Sequence, residues 1–208
     1  MAQNQATAEA SKEGERRRNR CHKKIKTRVE ELQLVSLNKP VRIMFQDEAG
    51  FGRINKPKYC WTGGSRPSVP CHHIREYRYA FGAVDPCSGD NFFLVMPSCD
   101  TTCMNVFLQE LSEQYKGDEI LLVCDGAGWH KSKALTLPDN IHLAFIPPYT
   151  PEMNPIEQIW REIRTRGFRN EVFHTLDDVM TRLCDTIVAL TNSTVRSITA
   201  RDWILSLF

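Results

Sequence analysis

The stretch Glu119-Ile120-Leu121-Leu122-Val123-Cys124-Asp125-Gly126 decides the fold, because a continuous apolar run stops on a lone carboxylate followed by glycine. Such a run reads as a strand buried on both faces of a sheet. Val41 to Phe45, ending on Gln46-Asp47-Glu48, reads the same way, as does Ile141 to Ile146, ending on Pro147-Pro148. Between the first two, Tyr77 to Val84 and Phe92 to Met96 flank the turn Asp85-Pro86-Cys87-Ser88-Gly89-Asp90 and form an expected hairpin.

Helical spacing fills the gaps. Met104, Phe107, Leu108, Leu111 and Tyr115 form one apolar face after the capping candidates Asp100 and Thr101, and Gly117 closes it. Asn154 as cap with Pro155 at the first helical position opens a helix to about Arg166, ended by Gly167. Thr175 with Asp178 opens another, with the stripe Leu176, Val179, Leu183, Ile187 and Leu190. Strands, helix, strands and then helices make an α/β chain.

The 208 residues are 41% apolar and 25% charged, enough for one sizeable core and too few for two full domains. No apolar run approaches the roughly 18 residues that cross a bilayer, and Met1 leads into a polar stretch, so a cytoplasmic location without membrane contact is expected. The eight cysteines are scattered, which favours reduced thiols over a disulfide scaffold. Residues 11–28 carry nine Lys/Arg against two acids, whereas the rest has 18 against 23. The expected organisation is therefore a basic, partly helical or disordered lead-in over 1–39 and a globular domain over 40–208. The lead-in is either a solvated tail or a phosphate-neutralising arm.

Three acids stand out. Asp47 and Asp125 each follow an expected strand directly, where α/β folds place sites, although an Asp there also serves as a turn former. Glu157 stands three residues after Asn154, where a carboxylate also suits helix capping. If the three converge on one sheet edge, they repel each other unless hard divalent cations lie between them. Two such ions about 4 Å apart can activate a water or 3'-hydroxyl and stabilise the leaving oxygen of an in-line displacement.

Four stretches then carry a resemblance: Phe45-Gln46-Asp47-Glu48-Ala49-Gly50-Phe51, Trp61-Thr62-Gly63-Gly64-Ser65-Arg66-Pro67, Val123 to Ser132 (VCDGAGWHKS), and Pro147 to Glu157 (PPYTPEMNPIE). In this order they resemble the catalytic domain of DDE transposases from bacterial insertion sequences related to the mariner superfamily, over about residues 40–205. The resemblance implies a ribonuclease H-like fold, a mixed central sheet flanked by helices. It implies a triad of Asp47, Asp125 and Glu157 holding Mg2+ or Mn2+, with two ions. It further implies DNA strand cleavage at transposon ends, strand transfer into target DNA, a homodimer in the synaptic complex and association with the nucleoid. The spacing of 31 residues between Asp125 and Glu157 is slightly shorter than is common in the wider superfamily.

Relatives of this kind begin with helix-turn-helix modules that residues 1–39 are too short to hold. A separate amino-terminal half is therefore an expected partner, the chain being the second frame of a split transposase or a truncated relic. Two rival readings are a catalytically silent DNA-binding or interaction remnant and another ribonuclease H-like nuclease.

The resemblance also assigns DNA contact to Trp61, Arg66, His130 and Lys131. Trp61 packing under a loop and His130 as a surface residue opening a helix are the alternatives. Arg161, Arg164, Arg166 and Arg169 follow Glu157, and the first two lie near its helical face, where they either position phosphates or form a solvated surface. Trp160 and Ile163 are expected in the core. Cys60, Cys71, His72, His73, Cys99 and Cys103 match no compact zinc spacing, so no zinc site is expected. Glu48 and Glu152 are the reserve metal ligands.

Overall fold

The computed structural model describes residues 2–36, 39–54, 57–65, 67–69, 71, 73–148 and 150–207, with side chains from Gly14 onward. Five strands form one mixed sheet in the order β3-β2-β1-β4-β5. They are β1 (Val41–Gly52), β2 (Tyr77–Val84), β3 (Asn91–Met96), β4 (Glu119–Cys124) and β5 (Ile141–Phe145). β1, β2 and β3 pair antiparallel through the expected hairpin, and β1, β4 and β5 pair parallel.

Alternation along β1 separates two cores. Ile43, Phe45, Ala49 and Phe51 face α3 (Ile156–Gly167), α4 (Leu176–Val188) and the carboxy-terminal helices α5 (Asn192–Thr199) and α6 (Asp202–Leu205). Met44 faces α2 (Thr101–Gln114), whose Met104, Phe107, Leu108 and Leu111 are fully buried. The caps behave as their residues dictate. Asp100 accepts from the Cys103 amide at 2.9 Å, and Thr175 and Asp178 form a reciprocal capping box.

β1 is longer than its apolar run. Its parallel partner stops at the pair Phe45 and Val123, but β1 continues to Gly52 with only β2 beside it. Asp47 therefore lies inside a strand, opposite Gly82, and not directly after one. The open side created where β4 turns away makes this polar stretch tenable as a strand.

The basic lead-in is a continuous helix, α1 (Ala2–Val35). Cys21, Ile25, Val29 and Leu32 recur at helical spacing and are at most 4% exposed within the α3-side core. Its second half is thus packed into the fold, while Arg16, Arg18, Arg20, Lys23 and Lys24 lie outside that stripe. No described helix is long and apolar enough to cross a membrane.

Candidate active site

Alternation places Asp47 on the α3 face of the sheet and its neighbours Gln46 and Glu48 on the α2 face. Extending the parallel register by two residues beyond Phe45 and Val123 sets Asp47 and Asp125 at matching levels. Glu157 enters from the first turn of α3. Asp47, Asp125 and Glu157 together line one cleft of about 430 Å3, closed by Ile146-Pro147-Pro148, Pro151 and Asn154. The structure therefore brings together three acids that the chain separates widely.

Asp47 is held by Trp160, whose indole Nε1–H donates to Asp47 Oδ2 at 3.0 Å. Trp160 is core, as expected, but it also serves the cleft. It reaches Asp47 across Gly82, where a Cβ would lie 2.7 Å from the indole and 2.5 Å from the Phe93 ring. Burial raises the Asp47 carboxyl to about 7, reinforced by the negative charges of Glu157 and Glu48 and opposed by the Trp160 hydrogen bond.

Asp125 is half-exposed and is restrained locally. Its Oδ1 accepts from the Ala127 amide at 2.9 Å and contacts His130 Nδ1 at 3.0 Å. Lys131 lines the same cleft, folded over Gly126, where a Cβ would come within 2.5 Å of the ammonium.

His130 is 2% exposed, so it neither opens a helix at the surface nor reaches a phosphate from its present position. It lies in the 3-10 turn Gly128–Lys131, with Nδ1 also 3.0 Å from the Asp125 carbonyl and Nε2 3.0 Å from Glu48 Oε1. Burial works against a charged imidazole, but hydrogen bonding with Cys124 and Glu48 outweighs it and the pKa is raised. Burial also raises the Cys124 thiol, opposed by its contact with His130. Glu48 Oε1 additionally accepts from Gln46 Nε2 at 2.8 Å and Trp129 Nε1 at 3.3 Å. It faces away from the cleft lining, which leaves it a structural acceptor in place of a reserve ligand.

Asn154 is not the side-chain cap of α3. Pro155 takes the cap position, and Asn154 Nδ2 instead donates to the Gln46 carbonyl at 2.9 Å. The buried carbonyl next to Asp47 thus finds its donor on the turn that carries Glu157. Asn154 Oδ1 and Gln46 Oε1 are buried without a hydrogen-bond partner among the described residues.

Beside Glu157 a groove of about 950 Å3 is lined by Lys58, Arg161, Arg164 and Arg169, together with Tyr59 and Glu152. Arg164 stacks over the Phe51 ring, 5.0 Å from its centre, and Arg169 donates to the Tyr59 carbonyl at 2.6 Å. Arg166 is instead engaged by Glu162 at 2.6 Å. Trp61 is fully exposed, not packed under a loop, and it lines neither cavity. Arg66 and His72 lie outside the described residues.

The cleft's donors suit a hard cation: carboxylates and an amide oxygen, with no cysteine or histidine in the lining. Among the described residues, no three His, Cys, Asp or Glu side chains form a ready-made ligand cluster. Sequence reasoning missed the Glu48–His130 contact, the Asn154 tether and the contribution of Lys58 and Tyr59. Only the Asn154 tether had a local signal, an Asn placed before Pro-Ile-Glu.

Residues 42–180 match the family described as DDE superfamily endonuclease. A protein of Sinorhizobium fredii (strain NBRC 101917 / NGR234), y4pE/y4sA, is 38% identical over 130 residues, covering 61% of this chain and 96% of that one. Among solved structures, a pre-cleavage Mos1 transpososome superposes with a TM-score of 0.63 at 15% identity, over 93% of this chain and 60% of that one. The Mos1 mariner paired-end complex with Mn gives 0.61 at 15% identity, over 93% and 60%. The chain thus spans about three-fifths of the Mos1 chains it matches, and the shared architecture is the ribonuclease H-like one of transposases.

Proposed function

The chain belongs to the DDE superfamily endonucleases, and from that premise we propose that it is the catalytic part of a transposase, cutting DNA at transposon ends and joining the freed 3'-hydroxyl to target DNA. The observation that carries this reading is the convergence of Asp47, Asp125 and Glu157 on one cleft beside an arginine-lined groove.

In this reading Asp47, Asp125 and Glu157 would together hold divalent ions, Mg2+ or Mn2+, in the cleft. Bound there, the ions would supply Lewis acidity toward the attacking and leaving oxygens. The chain's own groups bind and orient. Trp160 holds the Asp47 carboxylate toward the cleft. Arg161 and Arg164 neutralise the phosphates flanking the scissile bond, and Lys131 sits by Asp125 to meet the same backbone. Cleavage forms a bond from water oxygen to phosphorus and breaks the bond to the 3'-oxygen, which leaves as a hydroxyl. Joining repeats the displacement with that hydroxyl as nucleophile. Residues 40–208 constitute the catalytic domain, with α1 docked on it. End recognition falls to a helix-turn-helix module, and synapsis to a second copy.

The test is cleavage of element-end duplex by wild type and by Asp47→Ala, Asp125→Ala and Glu157→Ala, with the helix-turn-helix half supplied. Loss of cutting in each variant with circular dichroism unchanged is expected. Magnesium-dependent cutting retained by all three would overturn the assignment. A wild type that binds ends and never cuts them would favour a silent remnant, and preference for hybrids or junctions would favour another nuclease.

A further inference from the structure

Asp125 has no strand to hold it, because β4 ends at Cys124 and Asp125 begins the turn beyond. Asp47 is fixed by β1 and its pairing with β2. The separation of the two carboxylates therefore depends on whatever ties that turn back to β1. The described structure supplies one fully buried side chain that does so. His130 contacts Asp125 Oδ1 and the Asp125 carbonyl through Nδ1, and Glu48, next to Asp47, through Nε2, each at 3.0 Å.

We propose that His130 is a positioning residue, a buried brace from Glu48 to Asp125 that sets the spacing of the Asp47 and Asp125 carboxylates across the cleft. The inference rests on the reading that these carboxylates hold divalent metal.

Three features make the contact a brace. The Glu48 end is immobile, since Glu48 Oε1 also takes the Gln46 amide and the Trp129 indole, and its side chain is 5% exposed. The imidazole side chain has no exposed surface, so it cannot swing out without opening the α2-side packing. Asp47 and Glu48 are consecutive in one strand and point to opposite faces. The brace thus runs behind the sheet edge from the α2 face and meets Asp125 where the cleft opens, leaving the cleft itself free for substrate. Partners of metal ligands that act in this way typically change metal affinity 10- to 100-fold when replaced.

The test titrates the full chain with Mn2+ alone, with bound ion followed by electron paramagnetic resonance and Asp125→Asn as the control. His130→Gln keeps an N–H near Glu48 but not the Asp125 contact, and His130→Asn does the reverse. Each breaks the span and is expected to raise the Mn2+ Kd about tenfold or more. Duplex affinity without metal should stay within about twofold, since His130 touches no surface. Glu48→Ala opens the span from the other end and serves if an imidazole replacement does not fold. Glu48→Gln, which keeps the acceptor oxygen, should recover most of that loss. Folded His130 variants with wild-type Mn2+ affinity would overturn the brace alone. A wild type that binds no more Mn2+ than Asp125→Asn would overturn the metal reading and the brace with it.

Discussion

Replacing Asp47 with Asn should stabilise the metal-free protein, and should do so only where the carboxylate would be charged. Burial and the neighbouring acids raise Asp47 from 3.8 to about 7 in the fold. The folded state therefore holds this proton to higher pH than the unfolded chain does. Stability from the neutral form is complete below pH 4 and is lost as pH rises through 7. A shift of roughly three units at about 1.4 kcal/mol each sets a ceiling of about 4 kcal/mol, which partial solvent access reduces to about 1–2 kcal/mol. Asn carries no charge and keeps an oxygen for the Trp160 indole, which donates at 3.0 Å. In EDTA, urea unfolding of Asp47→Asn and wild type should coincide near pH 4 and separate by about 1–2 kcal/mol at pH 8, the variant being more stable. Added Mg2+ should close the gap by stabilising wild type alone. A gap independent of pH, or a variant less stable at pH 8, would refute the claim that charge crowding at Asp47 is the cause.

Gly82→Ala would drive a methyl against Phe93 and Trp160, costing about 1–3 kcal/mol and lowering the thermal midpoint. An unchanged midpoint would mean that Trp160 is not seated over this glycine. Ile25→Ala should cost about 2–4 kcal/mol in denaturant unfolding, because Ile25 is 2% exposed in the α3-side core. A cost below about half a kcal/mol would detach α1 from the fold. Arg161→Gln and Arg164→Gln should each weaken duplex binding and reduce the slope of log affinity against log salt by about one. Slopes equal to wild type would place the phosphates elsewhere.

Much of this architecture is visible in the residues. The apolar runs of β1, β4 and β5 and the caps at Asp100 and Thr175 announce themselves because each depends on neighbours in sequence. Asp47 and Asp125 stand out in the sequence because apolar runs stop on or just before them, and Glu157 because it follows a Pro-rich turn. What was not legible depends on partners distant in the chain. β1 continues through Gln46-Asp47-Glu48 because β2 pairs with it there. Asn154 turns from helix cap to tether because the Gln46 carbonyl, 108 residues away, needs a donor. His130 is polar and stands near the expected site, which suggests a surface contact, yet Glu48 and Asp125 draw it inside. That Ile25, Val29 and Leu32 of α1 belong to the α3-side core depends on elements far away in the chain.

Crystals of the chain grown with Mn2+, measured at the manganese absorption edge, would test the central claim most directly. The account predicts anomalous peaks within coordination distance of Asp47, Asp125 and Glu157 in the cleft they share. Manganese located elsewhere, with this cleft empty at millimolar concentration, would contradict it.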